Sequence, residues 1–154
     1  MTLTRDAHFE MRIRQGSKRL GYLVAIAVNV AMLYVVNNLL AWGWPPFLTE
    51  DFDQLLPIVN LSLVVSILVN ATYLTFDPDW FKSFSQIGIA VISLAVFIRT
   101  LQVFPFDFTA YDFNWETLTR TIVYLGMFGV AIAILVESVK LVRALAARPD
   151  HPAG

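Results

Sequence analysis

The sequence predicts an all-α integral membrane protein, a four-helix bundle with both termini on the cytoplasmic side. Three observations carry that prediction. The 154 residues are 57% hydrophobic and 15% charged, with a mean hydropathy of +0.63, whereas a water-soluble domain is about 45–50% apolar and about 25% charged. Four apolar runs stand out, each of about 20–25 residues, enough to cross a hydrocarbon core of about 30 Å as a helix. Lys and Arg are distributed unevenly around those runs.

The first run extends from about Leu20 to Trp42. It follows the basic stretch Arg12-Ile13-Arg14-Gln15-Gly16-Ser17-Lys18-Arg19, which resembles the start of a signal peptide. The run is longer than the about 7–15 residues of a signal core, and Ala41-Trp42-Gly43-Trp44 is a poor cleavage site, so it is read as a helix. The second run covers about Leu55 to Phe76, with Pro57 tolerated in the first turn if Asp53 is the cap. The third covers about Phe84 to Phe104, with Asp77-Pro78 as its expected N-cap and first-turn proline. The fourth covers about Leu118 to Val142, capped by Asn114 or Thr117. None of the runs alternates in polarity as a membrane strand would. Trp42, Trp44, Trp80 and Trp115 all fall at the expected helix ends, where an amphipathic ring favours the headgroup region.

Orientation follows from the basic residues. Arg5, Arg12, Arg14, Lys18 and Arg19 precede the first helix, Lys82 marks the second connection, and Lys140, Arg143 and Arg148 follow the fourth helix. An N-in topology puts all the basic residues except Arg99 and Arg120 on the cytoplasmic side. The expected layout is a basic cytoplasmic segment over 1–19, one transmembrane domain over 20–143 and a cytoplasmic tail over 144–154. The expected compartment is the plasma membrane. The basic N-terminus, with Phe9 and Ile13 one helical turn apart, suits contact with anionic lipid. The near-zero net charge gives no reason to expect a nucleic-acid partner.

The two outer loops are acidic and aromatic, and they resemble each other. Both contain Pro-Phe, Thr, Asp-Phe, then Gln or Glu, then Leu, over 45–55 and 105–118. The helices that follow share Ile-Val-x-Leu (Ile58 to Leu61, Ile122 to Leu125) and Ile-Leu-Val before a polar residue (Ile67 to Asn70, Ile134 to Glu137). This is the pattern of a duplicated helical hairpin, related by an axis along the membrane normal. Chance likeness between two apolar hairpins is the alternative.

Polar groups inside hydrocarbon are costly and supply the candidate sites. On the second helix, Ser62, Ser66, Asn70 and Tyr73 fall within about 80° of arc, with Asn60 nearly opposite. Asn29 and Asn37 of the first helix can face that stripe, while Asn38 projects elsewhere. The stripe serves either as interhelical hydrogen-bond glue, the preferred reading, or as a hydrated path or solute site. On the fourth helix, Gly126, Gly129, Ala133, Glu137 and Lys140 share a face. Gly126, Gly129 and Ala133 suit close helix packing. Glu137 is either a proton-binding carboxylate or, as preferred, the ion-pair partner of Lys140. On the third helix, Gly88, Ala95, Arg99 and Gln102 share a face. Arg99 and Arg120 lie beneath an outer cap containing Asp53, Asp107, Asp112 and Glu116, expected to form ion pairs that lock the loops to the helix ends. An anion or ligand site is the second reading of that cluster.

The chain has no cysteine, and both histidines, His8 and His151, lie in the polar tails. Thiol chemistry, cysteine metal sites and an intramembrane bis-histidine haem are therefore excluded. No phosphate-binding loop, HExxH motif or nucleophile elbow occurs. No metal or cofactor is expected, and an enzyme is the least favoured class.

The stretch Ala41 to Leu63, AWGWPPFLTEDFDQLLPIVNLSL, resembles one in small, uncharacterised four-span integral membrane proteins of high-GC Gram-positive bacteria. The resemblance implies the four-span architecture and a bacterial plasma membrane, and it implies no activity. Two functions stay open. The first is a non-enzymatic structural or accessory protein that associates with itself or another membrane protein. The second is a small oligomeric transporter or channel using the Asn/Ser stripe and Glu137.

Overall fold

The structure, a computed structural model, describes residues 3–146, with side chains from residue 16 onward. The side chains of Arg5, His8, Phe9, Arg12, Ile13, Arg14, Arg148 and His151 lie outside the described residues. Four helices follow in chain order: α1 (Leu3–Trp42), α2 (Leu56–Tyr73), α3 (Asp79–Val103) and α4 (Trp115–Ala146), with a short 3-10 helix at Glu50–Gln54 before α2. All four are long and apolar enough to cross a membrane. Among the described residues β structure is limited to one isolated antiparallel bridge, Leu48 to Phe106.

Each helix packs against the next in sequence: α1 on α2, α2 on α3, and α3 most extensively on α4. Among the described residues no comparable packing joins α1 to α4. The helices therefore form a row that is open on that side rather than a closed ring. One end of the row carries the 74–78 turn between α2 and α3 and is called the turn end. The other carries the connections 43–55 and 104–114 and is called the loop end.

Local chemistry explains the helix termini. α1 stops at Gly43, whose φ of +61° places it in the left-handed region that glycine adopts without steric cost. The N–H of Gly43 donates to Leu40 O (3.0 Å) and that of Trp44 to Leu39 O (3.3 Å), the paired bonds that satisfy the last carbonyls of a helix. α3 ends on Phe104, which is left-handed at φ +42° despite its side chain. Pro105 follows and is almost wholly buried. At the start of α4, Asn114 Oδ1 accepts from the Thr117 N–H at 3.1 Å, so Asn114 rather than Thr117 is the cap.

Two expected caps are corrected. Pro78, not Asp77, is the N-cap of α3, and no side chain caps it. Leu55, not Asp53, occupies the N-cap of α2, where Pro57 stands in the first turn. Proline needs no N–H partner there, so a carboxylate cap is dispensable. Asp53 belongs to the 3-10 helix instead.

The interior is thin. Val36, Leu55, Tyr73 and Val123 are buried, and large apolar side chains face outward on every helix, among them Leu20, Leu68, Phe84, Phe128 and Leu135. Apolar surface on this scale is abnormal for a chain bathed in water.

Candidate functional site

Two polar or aromatic constellations occupy the two ends of the row. At the turn end, Asp77 is the hub. Its Oδ1 lies 2.6 Å from Lys82 Nζ and accepts the Tyr22 hydroxyl at 3.1 Å. One carboxylate thus ties α1 to α3. The carboxylate is free for this because it does not cap its helix. Tyr73 packs beneath, its ring 5.2 Å from that of Tyr22 and 5.9 Å from that of Phe81. Its hydroxyl donates to the Lys82 carbonyl at 3.4 Å. Asp79 is a looser partner of Lys82, at 3.9 Å.

Beside this hub lies a cleft of about 630 Å³ with walls from all four helices. α1 contributes Tyr22, α2 Tyr73, α3 Asp79, Lys82, Ser83 and Gln86, and α4 Glu137, Lys140 and Arg143. Glu137 is paired with Lys140 at 2.6 Å and is 20% exposed. Ser83, on the α3 wall, is buried.

The hydrogen bonds of the polar stripe and of the α1 asparagines divide between helices and within them. Asn37 and Asn60 exchange both side-chain hydrogen bonds, Nδ2 of Asn37 to Oδ1 of Asn60 at 2.7 Å and the reverse at 3.0 Å. The partner of α1 is therefore the α2 asparagine placed opposite the stripe. Asn29 donates to Ala25 O (2.7 Å), Asn38 to Tyr34 O (2.7 Å) and Asn70 to Ser66 O (2.8 Å), each within its own helix. A side-chain amide bonded to the carbonyl four residues back is satisfied locally. Ser62 and Ser66 are half-buried on α2.

The loop end is a docked pair of loops. Around the Leu48–Phe106 bridge, Thr49 N–H donates to Pro105 O (3.0 Å) and Asp107 N–H to Phe47 O (2.8 Å). Phe47 lies against Phe106, Phe108 and Tyr111, at ring-centroid distances of 6.3, 5.3 and 6.5 Å. With Trp115, Leu118 and Ile122 they border an apolar depression of about 310 Å³.

Of the two arginines there, Arg120 is anchored and Arg99 is not. Arg120 Nε donates to Glu116 at 3.0 Å in its own helix, and its guanidinium stands 3.9 Å above the Phe104 ring. Arg99 Nη1 reaches only Gln102, at 3.4 Å. Among the described residues no carboxylate lies within ion-pair distance of Arg99, and Asp53, Asp107 and Asp112 hold no ion pair. Asp107 instead accepts the Thr109 backbone N–H at 2.9 Å, and that bond holds its carboxyl below the ordinary aspartate range.

The small residues of α4 divide. A Cβ on Gly126 would meet Phe97 Cζ of α3 at 2.8 Å, so Gly126 permits the close approach of α3 and α4. Gly129 would meet nothing within 4 Å, and Ala133 is exposed. Both face away from the rest of the chain.

Sequence reasoning reads Asp77 as a cap, Lys82 as a topology marker and Asn60 as off the stripe, and it passes over Tyr22 as one more member of an apolar run. The available signal is a tyrosine set one turn from Lys18-Arg19, with an Asp five residues before a Lys across the only short turn. No protein-family model, curated protein or solved structure matches this chain.

Proposed function

We propose that the chain is a multi-pass protein of a bacterial plasma membrane, with both termini cytoplasmic. Its role in this proposal is a non-enzymatic accessory subunit that associates with itself or another membrane protein. The observation that carries the reading is the free face of α4. Gly126 is consumed by Phe97, whereas Gly129 and Ala133 lie on an outward surface among the exposed Leu125, Phe128, Ile132 and Val136. Small residues on an apolar outward face let a second helix approach closely.

The topology is supported by charge. Lys18, Arg19, Lys82, Lys140 and Arg143 gather at the turn end, and Glu50, Asp51, Asp53, Asp107, Asp112 and Glu116 at the loop end. Cytoplasmic surfaces of membrane proteins are enriched in Lys and Arg. The duplicated hairpin receives mixed support. The two similar loop segments pair antiparallel, as a two-fold axis along the membrane normal would place them. The helices depart from that symmetry, because α2 packs on α3 while α4 does not pack comparably on α1.

The test is purification from native membranes in mild detergent. Gly129→Leu is expected to release a co-purifying partner or the second copy, and Glu137→Gln to leave it bound. Retention of every partner by Gly129→Leu would remove the accessory reading.

One observation favours the alternative of a small oligomeric transporter or channel: Glu137 stands in the wall of an open cleft. That reading predicts flux of protons, common ions or cationic dyes in proteoliposomes, abolished by Glu137→Gln. Absence of flux in the unaltered protein would end it.

A further inference from the structure

We infer that the cleft between α1 and α4 is a binding site for the headgroup of an anionic phospholipid, whose acyl chains run along the unpacked side of the row. The inference rests on the membrane reading and adds a ligand to it.

The cleft has the size of a ligand site. Its volume of about 630 Å³ lies within the about 300–1,000 Å³ typical of small-molecule pockets. Its position also suits a lipid. It lies at one end of the row, where a headgroup would sit, and its two flanking helices carry exposed apolar side chains along their length. α1 presents Leu20, Leu23 and Val24, and α4 presents Val136, Val139 and Val142.

Charge selects the headgroup. Lys82, Lys140 and Arg143 line the cleft. Lys18 and Arg19 line an adjoining depression that shares Tyr22 and Tyr73 with it. Against these stand Asp77, Asp79 and Glu137. Lys82 is held by Asp77 and Lys140 by Glu137, both at 2.6 Å. Among the described residues, Lys18, Arg19 and Arg143 have no carboxylate within 4.0 Å. Taken over the cleft and the adjoining depression together, basic groups therefore exceed acidic ones. Arginine suits a phosphate because its planar fork can bind two oxygens at once. Basic pockets between helices on the cytoplasmic side are a known form of lipid recognition.

The experiment reconstitutes the full-length chain into vesicles of equal phosphatidylglycerol, phosphatidylethanolamine and phosphatidylcholine. The lipid retained after detergent extraction is then measured by native mass spectrometry. Phosphatidylglycerol is expected to be enriched over phosphatidylcholine. Arg143→Gln is expected to lower that enrichment about fivefold, the factor for one basic residue at a membrane surface. Arg143→Lys should restore most of it, and Arg120→Gln, at the loop end, should leave it unchanged. The inference is overturned by equal retention of the lipids, by preference for phosphatidylethanolamine, by an equal loss in Arg120→Gln, or by displacement of the lipid with millimolar inorganic phosphate. Vesicle flotation separates the two levels. A chain that floats without lipid preference defeats only this inference, whereas a chain that floats with no vesicle defeats the membrane reading as well.

Discussion

Asn37 and Asn60 face each other across α1 and α2 and exchange two hydrogen bonds, at 2.7 and 3.0 Å. Asn37 also donates to Leu33 O at 2.7 Å. The pair fixes the register of the first hairpin, because a shift along either helix breaks both bonds. Asn37→Ala is expected to destabilise the protein in detergent by roughly 0.6–2 kcal/mol, the range for interhelical hydrogen bonds in membranes. Asn60→Ala should cost about the same, and the double variant little more than either. A double-mutant cycle by denaturant titration in mixed micelles reads the coupling. Additive losses would show that the pair carries no shared energy.

Gly126 and Gly129 lie one turn apart and should respond unequally to enlargement. Gly126→Leu forces the Phe97 ring tip away from a contact at 2.8 Å, and overpacking of this kind costs about 1–3 kcal/mol. Gly129→Leu meets no atom within 4 Å and should leave monomer stability unchanged. Thermal unfolding of the monomer in detergent compares them. Equal loss in both would mean that Gly129 is packed within the monomer.

The Arg120 guanidinium above the Phe104 ring helps hold a phenylalanine in a left-handed conformation. Such a conformation disfavours side chains by about 1–2 kcal/mol, and the cation–π contact returns about 0.5–1 kcal/mol at an exposed site. Arg120→Gln should therefore loosen the 104–108 segment. Hydrogen exchange of those amides is expected to quicken, with partial recovery in Arg120→Lys. Unchanged protection would assign the conformation to Pro105 burial alone.

Asp107 makes the 104–114 loop sensitive to acid. The Thr109 N–H lowers its pKa beneath the ordinary value of 3.8. A carboxyl with a depressed folded pKa contributes stability that is fully present above its unfolded pKa. That contribution is lost as pH falls through the folded value. The Thr109 amide resonance should accordingly titrate with a midpoint below 3.8, and Asp107→Asn should abolish the titration. A midpoint at or above that value would show that the bond is not held in solution.

The helices are legible in the sequence because their signal is local. A run of apolar residues bounded by tryptophan needs no knowledge of its neighbours, and the capping of α4 by Asn114 is a matter of three residues. The candidate sites depend on contacts between distant positions. Periodicity assigns Asn70 to an interior stripe, but the preceding turn's carbonyl is within reach of its amide. It places Asn60 opposite, but which side of α2 meets α1 is set by packing rather than by polarity. Asp77 has the composition of a cap, and only the fold brings Lys82 and Tyr22 to it. Arg99 and the acidic loop residues share an end of the molecule, yet docking of the loops on each other turns Asp107 to its own backbone.

The open side of the row bears on stoichiometry. A row has two unlike edges, α1 and α4, whereas a ring has none. Copies joined through α4 on both sides use the same surface twice and stop at two. Copies joined α4 to α1 use different surfaces and continue until a rotation closes them or a filament forms. The number of subunits in an assembly of this chain is therefore decided by which edge the small-residue face of α4 meets.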